Sequence, residues 1–257
     1  MATYLDLILD HHRQLAASDV RPLDQLIEQA RLCPPTRGFQ AALTGKDRLA
    51  VISEIKRRSP SKGDLNPDLD PSAMAAAYEL GGASCLSVLT DREFFGGSPD
   101  DLKAASAACS LPVLRKDFTL SPHDVVDARL MGADCLLLIA AAIPPSLLAD
   151  LHSLATELGL DVMVEIHDEF ELDAALGADA TLIGVNQRHL VTFEVDHDRA
   201  VRMAPLIPDG VIKVAESGVR DQADARSLHA AGYHAVLVGE TLVMSVDPAT
   251  TVAELIG

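Results

Sequence analysis

Seven polar side chains stand at the ends of short apolar runs: Glu54, Lys56, Lys116, Glu165, Asn186, Arg188 and Glu216. Charged groups in such places are expensive to bury without partners, so their placement calls for a reason. Glu54 and Lys56 are two residues apart, as are Asn186 and Arg188, and on an extended strand each pair faces one side. Lysines and glutamates gathered in one cavity are a set for moving protons to and from a substrate. The plain alternative is an ion-pair network that only stabilises. With five run ends contributing, that alternative loses ground, because each adds strain such a network does not need. A second group is small: Ser217-Gly218, Gly239-Glu240 and, after the first run, Ser59 and Gly63. Small residues let backbone N–H groups approach an anion, and the pattern suits a phosphate. Lys56, Arg57, Arg58 and Lys62 crowd into seven residues of a chain whose net charge is −17. That balance argues against nucleic acid or an anionic membrane as partner, and makes a small phosphorylated anion the expected ligand.

These residues need a scaffold that brings the ends of several runs together. Gly82-Ala83, Gly132-Ala133, Gly177-Ala178 and Gly232-Tyr233 recur at spacings of 50, 45 and 55 residues. They precede the apolar runs Cys85–Leu89, Cys135–Ile139, Thr181–Val185 and Ala235–Val238. Each glycine ends a helical pattern and fits the left-handed residue that closes a helix. Between these lie Leu49–Ile52, Leu111–Leu114, Asp161–Val164 and Val211–Ala215. Eight runs alternating with helical stretches such as Ser72–Leu80 and Pro145–Leu158 predict an α/β fold with parallel strands covered on both faces. A closed (β/α)8 TIM barrel is favoured over an open sheet, since no GxGxxG turn follows the first run. The 257 residues suit one such domain, with the barrel over 48–257 and an N-terminal helical extension over 1–47. Tyr4–Leu15 and Pro22–Leu32 read as amphipathic helices stopped by Pro34-Pro35. Capping the barrel bottom and covering the substrate are equally open roles for them. Barrel enzymes carry their active sites at the C-terminal ends of the strands, where the polar residues fall.

Other classes recede. Cys33, Cys85, Cys109 and Cys135 form no CxxC pair and read as reduced thiols of a cytoplasmic protein. No HExxH pattern is present, and no Cys/His set has zinc spacing, so neither a metal nor a cofactor is expected. The N-terminus, with Asp6 and Asp10, lacks the basic start of a signal peptide, and the longest apolar run, Cys135–Pro145, is too short to span a bilayer. A monomer is expected.

Six segments, in order, resemble the signatures of indole-3-glycerol-phosphate synthases: Ser53–Gly63 (SEIKRRSPSKG), Leu89–Ser98 (LTDREFFGGS), Leu114–Phe118 (LRKDF), Val164–His167 (VEIH), Gly184–Arg188 (GVNQR) and Ala215–Gly218 (AESG). The resemblance implies a metal-free (β/α)8 enzyme of the tryptophan pathway, needing no cofactor. Such enzymes convert 1-(2-carboxyphenylamino)-1-deoxyribulose 5-phosphate to indole-3-glycerol phosphate, with loss of carbon dioxide and water. Carried over by motif, Lys116 is similar to the general acid and Glu165 to its acid/base partner. Lys56 resembles a contact to the substrate carboxylate with a part in proton transfer. Glu54 is grouped with these catalytic residues as a polar contact. Asn186 and Arg188 resemble substrate contacts, and Glu216 a supporting carboxylate. Ser59, Ser217, Gly218, Gly239 and Glu240 resemble the phosphate cradle, while Phe95, Phe118, Leu137 and Ile139 resemble the lining of the aromatic pocket. Three departures show: Gln187 replaces a small polar residue, Glu240 a frequent Ser, and Gly177-Ala178 comes two residues early. At Glu240, therefore, only the backbone is expected to serve the phosphate.

The chemistry fits these groups. An aniline-type ring carbon attacks a ketone whose oxygen must gain a proton, and a lysine suits that task if neighbours and partial burial lower its pKa towards the working pH. The iminium formed is itself the electron sink for decarboxylation, so neither pyridoxal nor thiamine is needed. Dehydration then requires an acid and a base. Two alternatives stand. One is another phosphate-sugar barrel, such as phosphoribosylanthranilate isomerase or a histidine-pathway isomerase, which use Cys/Asp or Asp/Asp pairs that the sequence does not place here. The other is a barrel that only binds a ligand or acts as a scaffold.

Overall fold

The structure, a computed structural model, describes residues 3–45 and 48–257. Lys46 and Asp47, where the extension was expected to end, lie outside the described residues. Eight strands form a closed, wholly parallel barrel: β1 (Ala50–Ile55), β2 (Cys85–Leu89), β3 (Val113–Lys116), β4 (Cys135–Ile139), β5 (Asp161–Ile166), β6 (Leu182–Asn186), β7 (Ile212–Glu216) and β8 (Ala235–Val238). Each pairs with its neighbours in chain order, and β1 closes the ring on β8. Five of the strands, β1, β2, β4, β6 and β8, are buried along their whole length, as continuous rather than alternating hydrophobicity requires.

Helices α1 (Tyr4–Ser18), α2 (Leu23–Arg31) and α3 (Phe39–Leu43) precede the barrel. Around it run α4 (Pro71–Leu80), α5 (Pro99–Ala108), α6 (Pro122–Leu130), α7 (Pro145–Glu157), α8 (Glu169–Gly177), α9 (Arg199–Met203), α10 (Gln222–Ala230), α11 (Glu240–Val243) and α12 (Pro248–Ile256). Local chemistry sets several starts. Asp70, Ser98, Ser121 and Asp247 each accept backbone N–H groups as N-caps, and each is followed by a proline whose missing N–H costs nothing in a first turn. Among the described residues no helix is long and apolar enough to cross a membrane.

Three of the four repeated glycines close their helices as expected, with φ of +87° at Gly82, +90° at Gly132 and +94° at Gly232. Gly177 does not: it is the last residue of α8, and Asp179 takes the left-handed turn with φ +59°. Asp tolerates that conformation better than most residues. The early Gly-Ala is thus one more helical step rather than a cap.

The extension divides between the barrel's two ends. Below, the Arg37 and Gln40 backbone N–H groups donate to Asp134 Oδ1 (2.7 Å) and Asp161 Oδ2 (2.9 Å), at the starts of β4 and β5. Above, His12 on α1 bonds Asp91 just past β2 at 2.9 Å, and Tyr4 packs edge-on against Phe94 and Phe193. The extension therefore contacts both ends of the barrel, although no α1 residue lines the central cavity.

Candidate active site

Parallel register sets the strand ends side by side. Glu165 on β5 lies level with Gly184 on β6, and Glu216 on β7 lies level with Asn186 on β6 and Leu237 on β8. At this end opens a cavity of about 600 Å³, lined by every catalytic, substrate-binding and phosphate-binding residue singled out from the sequence except Gly63, which is exposed and does not reach it.

Its floor is a charged cluster. Lys116 Nζ is 3.1 Å from Glu165 Oε2 and 3.6 Å from Glu216 Oε2. Asn186 Nδ2 donates to Glu165 Oε1 at 3.0 Å, and Lys56 Nζ donates to Glu54. Two glycines make room for these carboxyls: a Cβ at Gly184 would overlap Glu216 Oε1, and one at Gly239 would overlap Glu54 Oε1.

Two lysines among three carboxyls leave one carboxyl short of a counter-charge and force a division of protonation states. Burial, the largest influence on Lys116, pulls its pKa down, but Glu165, Glu216 and Glu54 outweigh it and hold the ammonium above its ordinary value. This reverses the expected lowering. Lys116 is therefore protonated, held by its counter-ions. Burial also pushes Glu165 up, yet Lys116, His167 and the Asn186 bond keep it below the usual carboxylate range. Glu216 lacks such support. Burial first, then repulsion from Glu165, push it up to about 8, so it is protonated at neutral pH.

The other end of the cavity is small and turn-rich. Ser217 and Gly218 follow β7 with φ of +67° and +76°, and Gly239 precedes α11. A side chain at Gly218 would press on Val195 and His197. Ser59 is buried and accepts from the Lys62 backbone N–H at 3.2 Å. The Glu240 carboxylate stands between two cations, 3.6 Å from Lys62 Nζ and 3.8 Å from Arg188 Nη2. Between floor and rim lies an apolar wall, with the Phe95 and Phe118 rings 6.3 Å apart and Leu137 and Ile139 on β4.

Other residues sort differently than their sequence positions suggest. Arg115 and Asp117 flank Lys116 but pair with each other at 3.0 Å, and Arg115 also donates to Thr90 and to the Asp124 carbonyl. The expectation that no Asp/Asp pair is placed needs correcting. Asp91 and Asp117 both line the cavity, and with His12 they form a group whose ligand atoms lie within 4.8 Å of one another. Their oxygens are already engaged: Asp91 accepts from Phe94 and Phe95 N–H, and Asp117 from Phe118 N–H, Thr90 and Arg115. No cysteine lines the cavity. Sequence reading passed over His167, whose Nε2 is 3.7 Å from Glu165 Oε1. The spacing of two that singled out Glu54 and Lys56 applies equally to Glu165 and His167.

Fold and site together define a (β/α)8 barrel with a buried lysine–glutamate cluster and two glycine-bearing turns at its C-terminal mouth. Comparison narrows the class. A family profile described as indole-3-glycerol phosphate synthase matches residues 5–255. The indole-3-glycerol phosphate synthase of Chlorobium luteolum is 50% identical over 246 residues, covering 95% of this chain and 94% of that one. The enzyme of that name from Bordetella pertussis is 46% identical over 243 residues, covering 93% of each. The chain belongs to the indole-3-glycerol phosphate synthase family. A thiamine phosphate pyrophosphorylase from Pyrococcus furiosus superposes with a TM-score of 0.59 at 15% identity, over 80% of this chain and 93% of that one; at such identity the likeness is one of fold alone.

Proposed function

We propose that this chain converts 1-(2-carboxyphenylamino)-1-deoxyribulose 5-phosphate to indole-3-glycerol phosphate in tryptophan biosynthesis, acting as a carbon–carbon lyase. The observation that carries the reading is the Lys116 ammonium held between Glu165 and Glu216, on the floor of a cavity whose rim has the Ser217-Gly218 and Gly239 turns. Lys116 protonates the ketone oxygen as the ring carbon attacks. Glu165 is its acid/base partner, and Lys56, held by Glu54, meets the substrate carboxylate. Asn186 and Arg188 contact the polar chain, with neutral Glu216 as support. Phe95, Phe118, Leu137 and Ile139 flank the aromatic ring. Ser59, Ser217, Gly218 and the backbone at Gly239 and Glu240 hold the phosphate. Binding energy at that remote end keeps the flexible chain in a reactive conformation.

Incubating the purified protein with this substrate tests the reading, the expected result being growth of indole fluorescence with release of carbon dioxide. Rescue of a tryptophan auxotroph is the companion test in cells. Turnover of phosphoribosylanthranilate instead, or binding without turnover, would overturn the proposal. We also take residues 1–47 as an extension to one barrel domain over 48–257, working as a cytoplasmic monomer. Sedimentation at micromolar concentration checks the last point.

A further inference from the structure

Behind the Ser217-Gly218 turn, on the side away from the cavity, lies a buried amide to which the proposed chemistry gives no task. Gln187 is 2% exposed and stands between Asn186 and Arg188, but outside the main cavity that both of those line. It borders instead a hollow of about 40 Å³ shared with His197, Gly218, Asp224 and Ser227. Three hydrogen bonds tie it to the mouth. Its backbone N–H donates to the Glu216 carbonyl at 2.9 Å, its carbonyl accepts from the Asp196 N–H at 2.8 Å, and its Nε2 donates to the Ser217 carbonyl at 2.8 Å. A carbonyl can only accept, so the amide atom facing Ser217 is the nitrogen. The other amide atom, Oε1, is buried and accepts no hydrogen bond among the described residues. An amide kept for stability alone would pair both atoms, because a buried unpaired acceptor costs stability. The bond to Ser217 is what this side chain secures.

That bond falls on a peptide placed to meet an anion. Ser217 is a non-glycine residue in the left-handed region, with φ +67°, and Gly218 follows at +76°. Such a conformation persists in a non-glycine residue only when its surroundings fix it. The Ser217 C=O and the Gly218 N–H belong to one planar trans peptide and point in opposite directions. With the carbonyl drawn back to Gln187, the N–H is turned towards the cavity that Gly218 lines, and it has no backbone partner among the described residues. We infer that Gln187 is a positioning residue that sets the Ser217-Gly218 turn, and through it the Gly218 N–H, for the substrate phosphate. The inference deepens the function proposed above and rests on it in one respect, that a phosphate occupies this end of the mouth. Gln187 itself touches no substrate. Without its donor the Ser217 peptide is free to rotate, and part of the population no longer aims the N–H at the phosphate.

The experiment compares wild type with Gln187→Met and Gln187→Ala, both of which lack the donor. The first keeps the length of the side chain, and the second serves if the first does not fold. Two readings report on the phosphate end: KM for the proposed substrate, and the inhibition constant of inorganic phosphate. A third reports on the rest of the site: the inhibition constant of the same substrate with a hydroxyl in place of its phosphate. The expected result is a KM and a phosphate constant each raised about 3- to 10-fold, with kcat within about 3-fold. The constant of the phosphate-free compound should stay within about 2-fold, since the change is confined to one peptide at the far end. A general loosening of the mouth would weaken all three and overturn the inference, as would phosphate constants unchanged in both variants. Direct titration with inorganic phosphate, followed by phosphorus NMR, separates the inference from the function on which it builds. Wild type that binds phosphate more tightly than the variants but forms no indole product would remove the proposed function and leave the inference standing. Active wild type whose variants bind phosphate equally well would remove the inference alone.

Discussion

Replacing Glu216 by Gln tests the protonation assigned to the cavity floor. Glu216 is 1% exposed, and its carboxyl is pushed from an ordinary value of 4.5 up to about 8. Between those two values the folded protein keeps a proton that the unfolded chain releases. The folded state therefore binds more protons, and its stability falls as pH rises across that window. A gap of about 3.5 units at about 1.4 kcal/mol per unit bounds the loss at about 5 kcal/mol. Water entering the open mouth relieves part of it, which makes about 2 to 3 kcal/mol the expected figure. Glutamine copies the neutral acid in shape and never ionises. Wild type should therefore lose stability against Glu216→Gln by that amount between pH 5 and pH 9, read from urea denaturation midpoints in parallel series. A stability difference that stays constant over that range would refute the protonated Glu216 and the division of charge around Lys116.

The remaining predictions concern turnover. Lys116→Ala should lower kcat by about 100-fold or more while substrate still binds, as measured by indole fluorescence and by equilibrium binding; activity within a few-fold of wild type would take the acid role from Lys116. Glu165→Gln should slow turnover more than it weakens binding, and a change confined to KM would make Glu165 a binding residue instead. Glu240→Gln should lower KM about 2- to 5-fold, because it removes a carboxylate that occupies Lys62 and Arg188 at the phosphate end and is worth about 0.5 to 1 kcal/mol; an unchanged or higher KM would show that the carboxylate does not compete there.

The barrel was readable from sequence because a parallel strand buried on both faces leaves an unbroken apolar run, and eight such runs alternate with helices. Positions facing the cavity were readable where a polar residue interrupts that rule, but it was the LRKDF motif, not the run itself, that told Lys116 from its neighbours Arg115 and Asp117, which turn to each other. Protonation was not readable. Whether Lys116 rises or falls and whether Glu216 is charged depend on carboxyls brought together from β1, β5 and β7, far apart in the chain. The His12–Asp91 bond likewise joins positions separated by 79 residues, and no local pattern announces it. Gly177 misled because a left-handed helix end can fall to Asp179 as well as to glycine.

Gly184 and Gly239 carry no functional group, yet each leaves the hollow that a carboxyl on the adjoining strand fills. A saturation screen would rank both with the reactive lysine, for the opposite reason: their contribution is the atoms they lack. Anyone grafting this chemistry onto a foreign barrel must therefore carry over the hollows with the acids. Two lysines and three glutamates set on strands bearing alanine at those points would have nowhere to lie, and the charges would settle into some other arrangement.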